Sequence, residues 1–170
     1  LTVEGPADKV TAFLEHAKGT PDGEETPFDF NRFIPYPEKW EQMDREREAF
    51  YDRFNSLTPA ERETVPIPPD GFNSGGYDWC VENWGTKWNA CRVQIGQRSE
   101  WDREVSQDLH FETAWSPPEP VIKRAAEMFP DLTLTLRYFE CGCAYNGMLR
   151  CEGGEVTFDE SGPYFGNRGG

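Results

Sequence analysis

The sequence predicts an α+β fold in which helices cover one face of an antiparallel sheet. Three observations lead there. Leu132-Thr133-Leu134-Thr135-Leu136-Arg137-Tyr138 alternates apolar and polar residues, the pattern of a half-buried strand. Gly153-Gly154 separates two short strand-like runs, residues 148–151 and 155–158, as a two-residue hairpin turn does. Between such strands, apolar residues recur at helical spacing in several segments.

Taken in order, Leu1-Thr2-Val3-Glu4-Gly5 reads as the end of a first strand. Pro6 and Asp8 open a helix to Lys18, with Val10, Phe13, Leu14 and Ala17 on one face, and Gly19 closes it. Pro21-Asp22-Gly23 marks a turn. Phe28, Phe30 and the pair Phe33-Ile34 predict a second strand, stopped by Pro35 and Pro37. Residues 38–54 predict an amphipathic helix with Trp40, Met43, Phe50, Tyr51 and Phe54 along one side. Thr58 and Glu61 form a capping-box signature at the start of another helix. A Pro-rich loop at 66–71 leads to a short helix at 77–84. Residues 91–95 and 109–114 read as strands, Pro117-Pro118 starts a helix running to Phe129, and the strands named above complete the chain. The order is β-α-β, a helical insertion, then β-β-α-β and a C-terminal hairpin. Without the insertion it is the split β-α-β pattern of ferredoxin-like folds. The expected division is one domain, 1–170: a core of 1–36 and 89–158, an insertion at 37–88, and a frayed tail at 159–170, glycine-rich at its end.

Composition limits function. The chain of 170 residues carries 31 acidic and 17 basic side chains, a net charge of −14 spread along its whole length. Direct binding to nucleic acid or anionic lipid is disfavoured, because phosphate contacts need clustered Lys and Arg. A protein partner with a basic surface suits this charge. No apolar run approaches membrane-spanning length. The opening residues carry no evident secretion signal, and position 1 is Leu rather than Met, which leaves the native N-terminus open. Five cysteines cannot all pair within one chain, so reduced thiols in a cytoplasm are expected.

Two Trp-bearing segments stand out: Trp84-Gly85-Thr86-Lys87-Trp88-Asn89-Ala90 and Thr113-Ala114-Trp115-Ser116-Pro117-Pro118. Trp84, Trp88 and Trp115 are expected to pack structurally, with Lys87 either stacked on an indole or snorkelling past it and Asn89 among the polar partners. Nothing in either segment is a nucleophile, base or metal ligand in a recognisable arrangement. Together with Met128-Phe129-Pro130-Asp131-Leu132, the opening Leu1-Thr2-Val3-Glu4-Gly5, and Phe30-Asn31 ahead of Ile34-Pro35, these segments resemble the YubB-type ferredoxin-like family over most of residues 1–157. The resemblance implies a ferredoxin-like topology without an iron–sulfur cluster. It also implies a setting in phages, conjugative plasmids and their hosts. It carries no catalytic residues.

Cys141-Gly142-Cys143 with Cys151 hints at a metal, but the one-residue gap is short for zinc, and a fourth ligand would have to come from Cys80, Cys91 or His110. No metal and no cofactor are therefore expected. His16 sits near a helix C-terminus, where the dipole suits an imidazolium. On the insertion helix, Glu41, Asp44, Glu48 and Asp52 form one acidic stripe, flanked by the intrahelical pairs Glu41–Arg45 and Asp44–Arg47. Four residues advance about 6 Å along a helix, whereas duplex DNA carries a charge every ~1.7 Å. The stripe would need help from Glu100, Asp102 and Glu104 to mimic DNA. These observations predict a noncatalytic acidic interaction protein of a phage or mobile element. Its expected partner is a host protein with a basic nucleic-acid-binding surface, such as a defence nuclease complex, and the mode is anti-defence DNA mimicry of the anti-CRISPR kind. The alternative is a small enzyme or ligand-binding domain with a pocket lined by tryptophans and the 141–151 cysteines. A contiguous acidic face supports the first, a closed polar pocket beside Trp84, Trp88 or Trp115 the second.

Overall fold

A computed structural model describes residues 1–163. The elements are β1 (Thr2–Pro6), α1 (Ala7–Ala17), α2 (Glu38–Phe54), α3 (Pro59–Arg62), α4 (Tyr77–Trp84), β2 (Cys91–Trp101), β3 (Glu104–Glu112), α5 (Glu119–Met128), β4 (Thr133–Glu140), β5 (Tyr145–Glu152) and β6 (Glu155–Pro163). The strands form one antiparallel sheet in the order β2-β3-β1-β4-β5-β6. β1, α1, β2, β3, α5 and β4 make the ferredoxin-like unit, and the hairpin β5–β6 widens it at the β4 edge. The α+β architecture and the C-terminal hairpin are thus as expected from the sequence.

Alternation along each strand decides what faces the helices. Val3, Val105, Leu109, Leu134, Leu136, Leu149 and Cys151 are buried on that side, beneath Val10, Phe13 and Ala17 of α1 and Val121, Ile122, Ala125 and Ala126 of α5. The opposite face carries Thr2, Asp108, His110 and Arg137 at successive register positions. The Gly153-Gly154 turn has positive φ at both residues, 62° and 81°, the geometry that matches strand twist in a tight hairpin.

The strand expected over Phe28 to Ile34 does not form. Phe28, Phe30 and Phe33 are all buried, whereas a strand would send Phe30 and Phe33 to opposite faces. A single 3₁₀ turn, Phe30–Arg32, folds Phe33 back to the same side, 5.6 Å from Phe28 between ring centroids. Side chains replace the strand ladder. Asp29 Oδ1 accepts from Asn31 N at 2.9 Å, and Asn89 Oδ1 accepts from Phe30 N at 2.9 Å. The aromatic plug extends the core past the sheet to Phe111 and Trp84.

β2 and β3 are longer than predicted and close a hairpin at Trp101–Glu104, with two register shifts along β2. Residues 159–163, expected to fray, continue β6: Asp159 pairs with Leu149 and Pro163 with Tyr145. The glycine-rich end at 166–170 lies outside the described residues.

The insertion hangs from Tyr36, whose ring packs on Trp40, Trp79 and Trp84. α2 buries none of its residues completely. Its middle is fixed by Asp44 Oδ1, which accepts from Gly71 N at 2.8 Å and Phe72 N at 3.2 Å, and by Arg47, which holds Asp70 at 2.9 Å and Pro68 O at 3.0 Å. Gly71 is required by this contact, since a Cβ there would lie 2.0 Å from the Trp40 carbonyl oxygen. Glu61 accepts from Thr58 N at 2.8 Å and Thr58 Oγ1 at 2.6 Å, so the predicted capping interaction is present at α3.

Candidate functional site

The two Trp-bearing segments meet. Thr86 is fully buried, and its Oγ1 donates to Ala114 O at 3.0 Å while accepting from Ala114 N at 3.1 Å. Ser116 Oγ donates to Gly85 O at 2.6 Å, Thr113 Oγ1 to Ser116 O at 2.8 Å, and Tyr145 OH to Trp115 O at 2.6 Å. These bonds hold Trp115 at φ 70°, a left-handed backbone that a bulky side chain rarely adopts. Trp115 is 67% exposed. Strain held by an over-determined loop marks a place where position matters.

Under this loop lies a cleft of about 640 Å³. Leu109, Phe111, Leu136 and Tyr138 supply apolar walls, and Trp88 and Trp115 stand at its mouth. Tyr138 donates to Glu119 at 3.3 Å, and burial pushes its hydroxyl up to about 12. The cleft opens to solvent between these aromatic side chains, which distinguishes it from the closed polar pocket described above. Cys141 reaches its rim, but Cys151 is buried in the core.

Trp84 alone of the three tryptophans behaves as expected: it is 4% exposed and donates from Nε1 to Ile34 O at 2.8 Å. Trp88 is 44% exposed and Trp115 more so, which corrects the expectation that all three rings pack in the interior. At Trp115 the exposure goes with its left-handed backbone, a property no residue pattern encodes. Lys87 does stack, its Nζ 4.9 Å from the Trp88 ring centroid. Asn89 is a structural clip: besides Phe30 N it accepts from Ala90 N at 2.8 Å and donates to Asp29 at 2.7 Å.

The acidic residues do not assemble into one face. The hairpin carrying Glu100, Asp102 and Glu104 lies beside the start of α1, where Ala7 N donates to Arg103 O at 2.9 Å. α2 is rooted at the other end, beyond the α1 C-terminus. Glu100 is engaged by Arg98 at 2.7 Å. Asp44 is turned into the loop rather than outward, and its expected pair with Arg47 is replaced by Arg47–Asp70. Glu41 pairs with Arg45 at 3.3 Å, as expected, and Glu48 and Asp52 are exposed.

Cys91, Cys141 and Cys143 are exposed free thiols, and Cys80 and Cys151 are buried ones. Glu140 accepts from Cys143 N and Gly142 N, which lowers its carboxyl pKa, and the same carboxylate, through a side-chain hydrogen bond and its charge, raises the pKa of the Cys143 thiol. The segment is thereby a carboxylate-closed turn. Among the described residues no group of three or more His, Cys, Asp or Glu is gathered around a possible ion. His16 Nε2 meets Arg32 O at 2.8 Å, while Arg32 Nε donates to His16 O at 3.0 Å, so this histidine joins α1 to the aromatic plug. Among the described residues no helix is long and apolar enough to cross a membrane.

A family model described as the ferredoxin-like domain in Api92-like protein matches residues 96–164. The match runs from the middle of β2 through β6, takes in the Trp115 loop, leaves out the insertion, and supports a ferredoxin-like family over that stretch. No curated protein and no solved structure matched the chain.

Proposed function

We propose that the chain is a noncatalytic, acidic protein-binding module, and that α2 is the part it presents. The observation carrying this reading is α2 itself. It is a 17-residue helix with no fully buried residue, anchored at its middle by Asp44 and Arg47, exposing Glu41, Glu48 and Asp52. A fixed mid-point and exposed acidic side chains favour electrostatically steered docking on a basic protein surface. With a net charge of −14 the whole chain adds to that attraction and repels nucleic acid. The partner class is a host protein whose basic surface binds nucleic acid, in the cytoplasm of a bacterial host. The resemblance of the sequence to YubB-type proteins supports a phage or mobile-element setting, and anti-defence action is the role we propose there. Separation of the α2 acids from Glu100, Asp102 and Glu104 argues for a local acidic contact rather than a long imitation of the DNA duplex.

The test is association with a basic partner isolated from host lysate at low salt. The variant pair Glu48→Lys and Asp52→Lys is compared with Glu24→Lys and Glu25→Lys, an equal charge change on an exposed loop. The expected result is a slower on-rate for the first pair and a smaller change for the second. Equal losses would reduce α2 to a contributor of net charge and remove it as the docking element.

A further inference from the structure

The turn between β4 and β5 brings two cysteines together at the surface. Glu140 pairs with Tyr145 in the ladder, so Cys141, Gly142, Cys143 and Ala144 make the whole connection. Cys141 and Cys143 are both exposed and both free. Cα atoms two residues apart are separated by at most about 7 Å, and by less in a turn; a disulfide bridges about 4.4–6.8 Å. Glu140 closes the turn from within. Its Oε1 accepts from Gly142 N at 3.0 Å, and its Oε2 accepts from Cys143 N. A Cβ on residue 142 would lie 3.0 Å from Oε1, so a glycine between the cysteines lets the carboxylate reach both amides. The same carboxylate takes a hydrogen bond from the Cys143 thiol. Among the described residues it takes none from the Cys141 thiol, which lies on the rim of the Trp115 cleft. The other cysteines are placed differently: Cys80 and Cys151 are buried, and Cys91 is exposed with no second cysteine adjacent in the chain.

We propose that Cys141 and Cys143 form a thiol–disulfide exchange site whose substrate is a low-molecular-weight disulfide of the glutathione class. Cys141 attacks first, as the thiolate, because its proton is not engaged by Glu140. Its sulfur bonds to one sulfur of the small disulfide, and the other leaves as a thiolate that takes a proton from water. Cys143 then gives its proton to water and attacks the Cys141 sulfur. The mixed disulfide breaks, the second small thiol leaves, and the Cys141–Cys143 bond remains. The protein has lost two electrons and two protons, and the small disulfide has become two thiols. Glu140 sets the order. Its charge and its hydrogen bond both oppose a thiolate at Cys143, which makes Cys143 the resolving group rather than the attacking one. Ring closure needs no second small molecule, so it competes with a further attack from solution through the high effective concentration of a tethered thiol. Excess small thiol reverses both steps. This inference does not rest on the reading of α2.

The experiment incubates the intact chain with mixtures of oxidised and reduced glutathione, quenches with acid, and maps the cysteines by mass spectrometry after digestion. The peptide holding Cys141 and Cys143 is expected to lose two hydrogens and to carry no glutathione. Cys91 takes up one glutathione, and Cys80 and Cys151 stay reduced. The ratio of closed to mixed disulfide at the turn should rise about tenfold for each tenfold fall in reduced glutathione, because one glutathione leaves on closure. In Cys143→Ser the glutathione stays on Cys141. In Cys141→Ser it reaches Cys143 several-fold more slowly, and adding Glu140→Gln to that variant removes most of the difference. Glutathione on both turn cysteines with no closed bond, or a bond from either of them to Cys91, overturns the site. Equal rates at Cys141 and Cys143 in the two single variants overturn the order assigned to Glu140.

Discussion

Replacing Thr86 by Val tests how the two Trp-bearing segments are joined. The substitution preserves side-chain shape and removes one hydroxyl. That hydroxyl serves both the N–H and the C=O of Ala114, at 3.1 and 3.0 Å, in a place where Thr86 is fully buried and Ala114 is 7% exposed. Each group left without a partner costs about 1–3 kcal/mol, so a net loss of roughly 2–4 kcal/mol is expected after allowing for partial relaxation. For a chain of this size each kcal/mol lowers Tm by about 2–4 °C, which makes the expected shift roughly 5–15 °C. Thr86→Ser is the control. It keeps the hydroxyl and deletes one methyl, worth about 1 kcal/mol. Urea unfolding followed by far-ultraviolet circular dichroism reads both. A Val variant as stable as the Ser variant would refute the bridge, because it would show that the loop holds Ala114 without Thr86.

Trp84→Ala should cost about 3–5 kcal/mol, since its ring is buried and bonded to Ile34 O. Trp115→Gly should stay within ~1 kcal/mol of the parent, because an exposed ring is lost while the left-handed backbone is relieved; thermal melts of the pair check both. Asp44→Lys should loosen the insertion and raise amide exchange at Gly71 and Phe72, which accompany its carboxylate, whereas Glu48→Lys should leave both rates unchanged. Burial pushes the Cys80 thiol from 9.0 up to about 11. The unfolded thiol ionises first, so the stabilisation present below pH 9 is lost as pH rises toward 11, about 2–3 kcal/mol in all. Cys80→Ala should flatten a plot of urea midpoint against pH between pH 9 and 10 and make it less steep up to 11. The tyrosines Tyr36 and Tyr138, both raised from 10.0 to about 12, still produce a decline from pH 10 upward.

What the sequence discloses here is mostly local. The helix at 77–84, the Thr58–Glu61 interaction and the Gly153-Gly154 hairpin each depend on a few adjacent residues, and all three are legible in the residue order. The Phe28–Phe33 segment is not, because its backbone partners, Asn89 among them, are distant in sequence. Alternation there arises from burial around a turn, not from a pleat. The polar run Gln97-Arg98-Ser99-Glu100 hides the second half of β2, since one side of an edge strand faces water and needs no apolar residues. The acidic stripe on α2 follows from helical periodicity, yet periodicity cannot tell that Asp44 closes on the Gly71 loop while Glu48 does not. The cleft is the least legible feature. Its walls come from β3, β4 and the Trp115 loop, segments distant in sequence, and strand ends are where residue patterns are weakest.

The way the insertion is fastened bears on how the chain could change over time. The polypeptide leaves the core near Ile34 and returns near Asn89, and the outgoing and returning segments are bonded directly to each other: Trp84 to Ile34, and Asn89 to both Phe30 and Asp29. That clasp sits outside 37–83, so those residues form a loop whose ends are already held together. Length and surface between the ends can therefore vary without altering the register of the sheet, because closing a longer loop costs only about 0.6 kcal/mol per doubling of its length. The frame, to which α4 belongs through Cys80 and Trp84, and the part of the insertion ahead of α4 are mechanically separable. One can retain its packing while the other is rewritten to suit a new target, and the clasp residues set the boundary at which such an exchange would be cut and spliced.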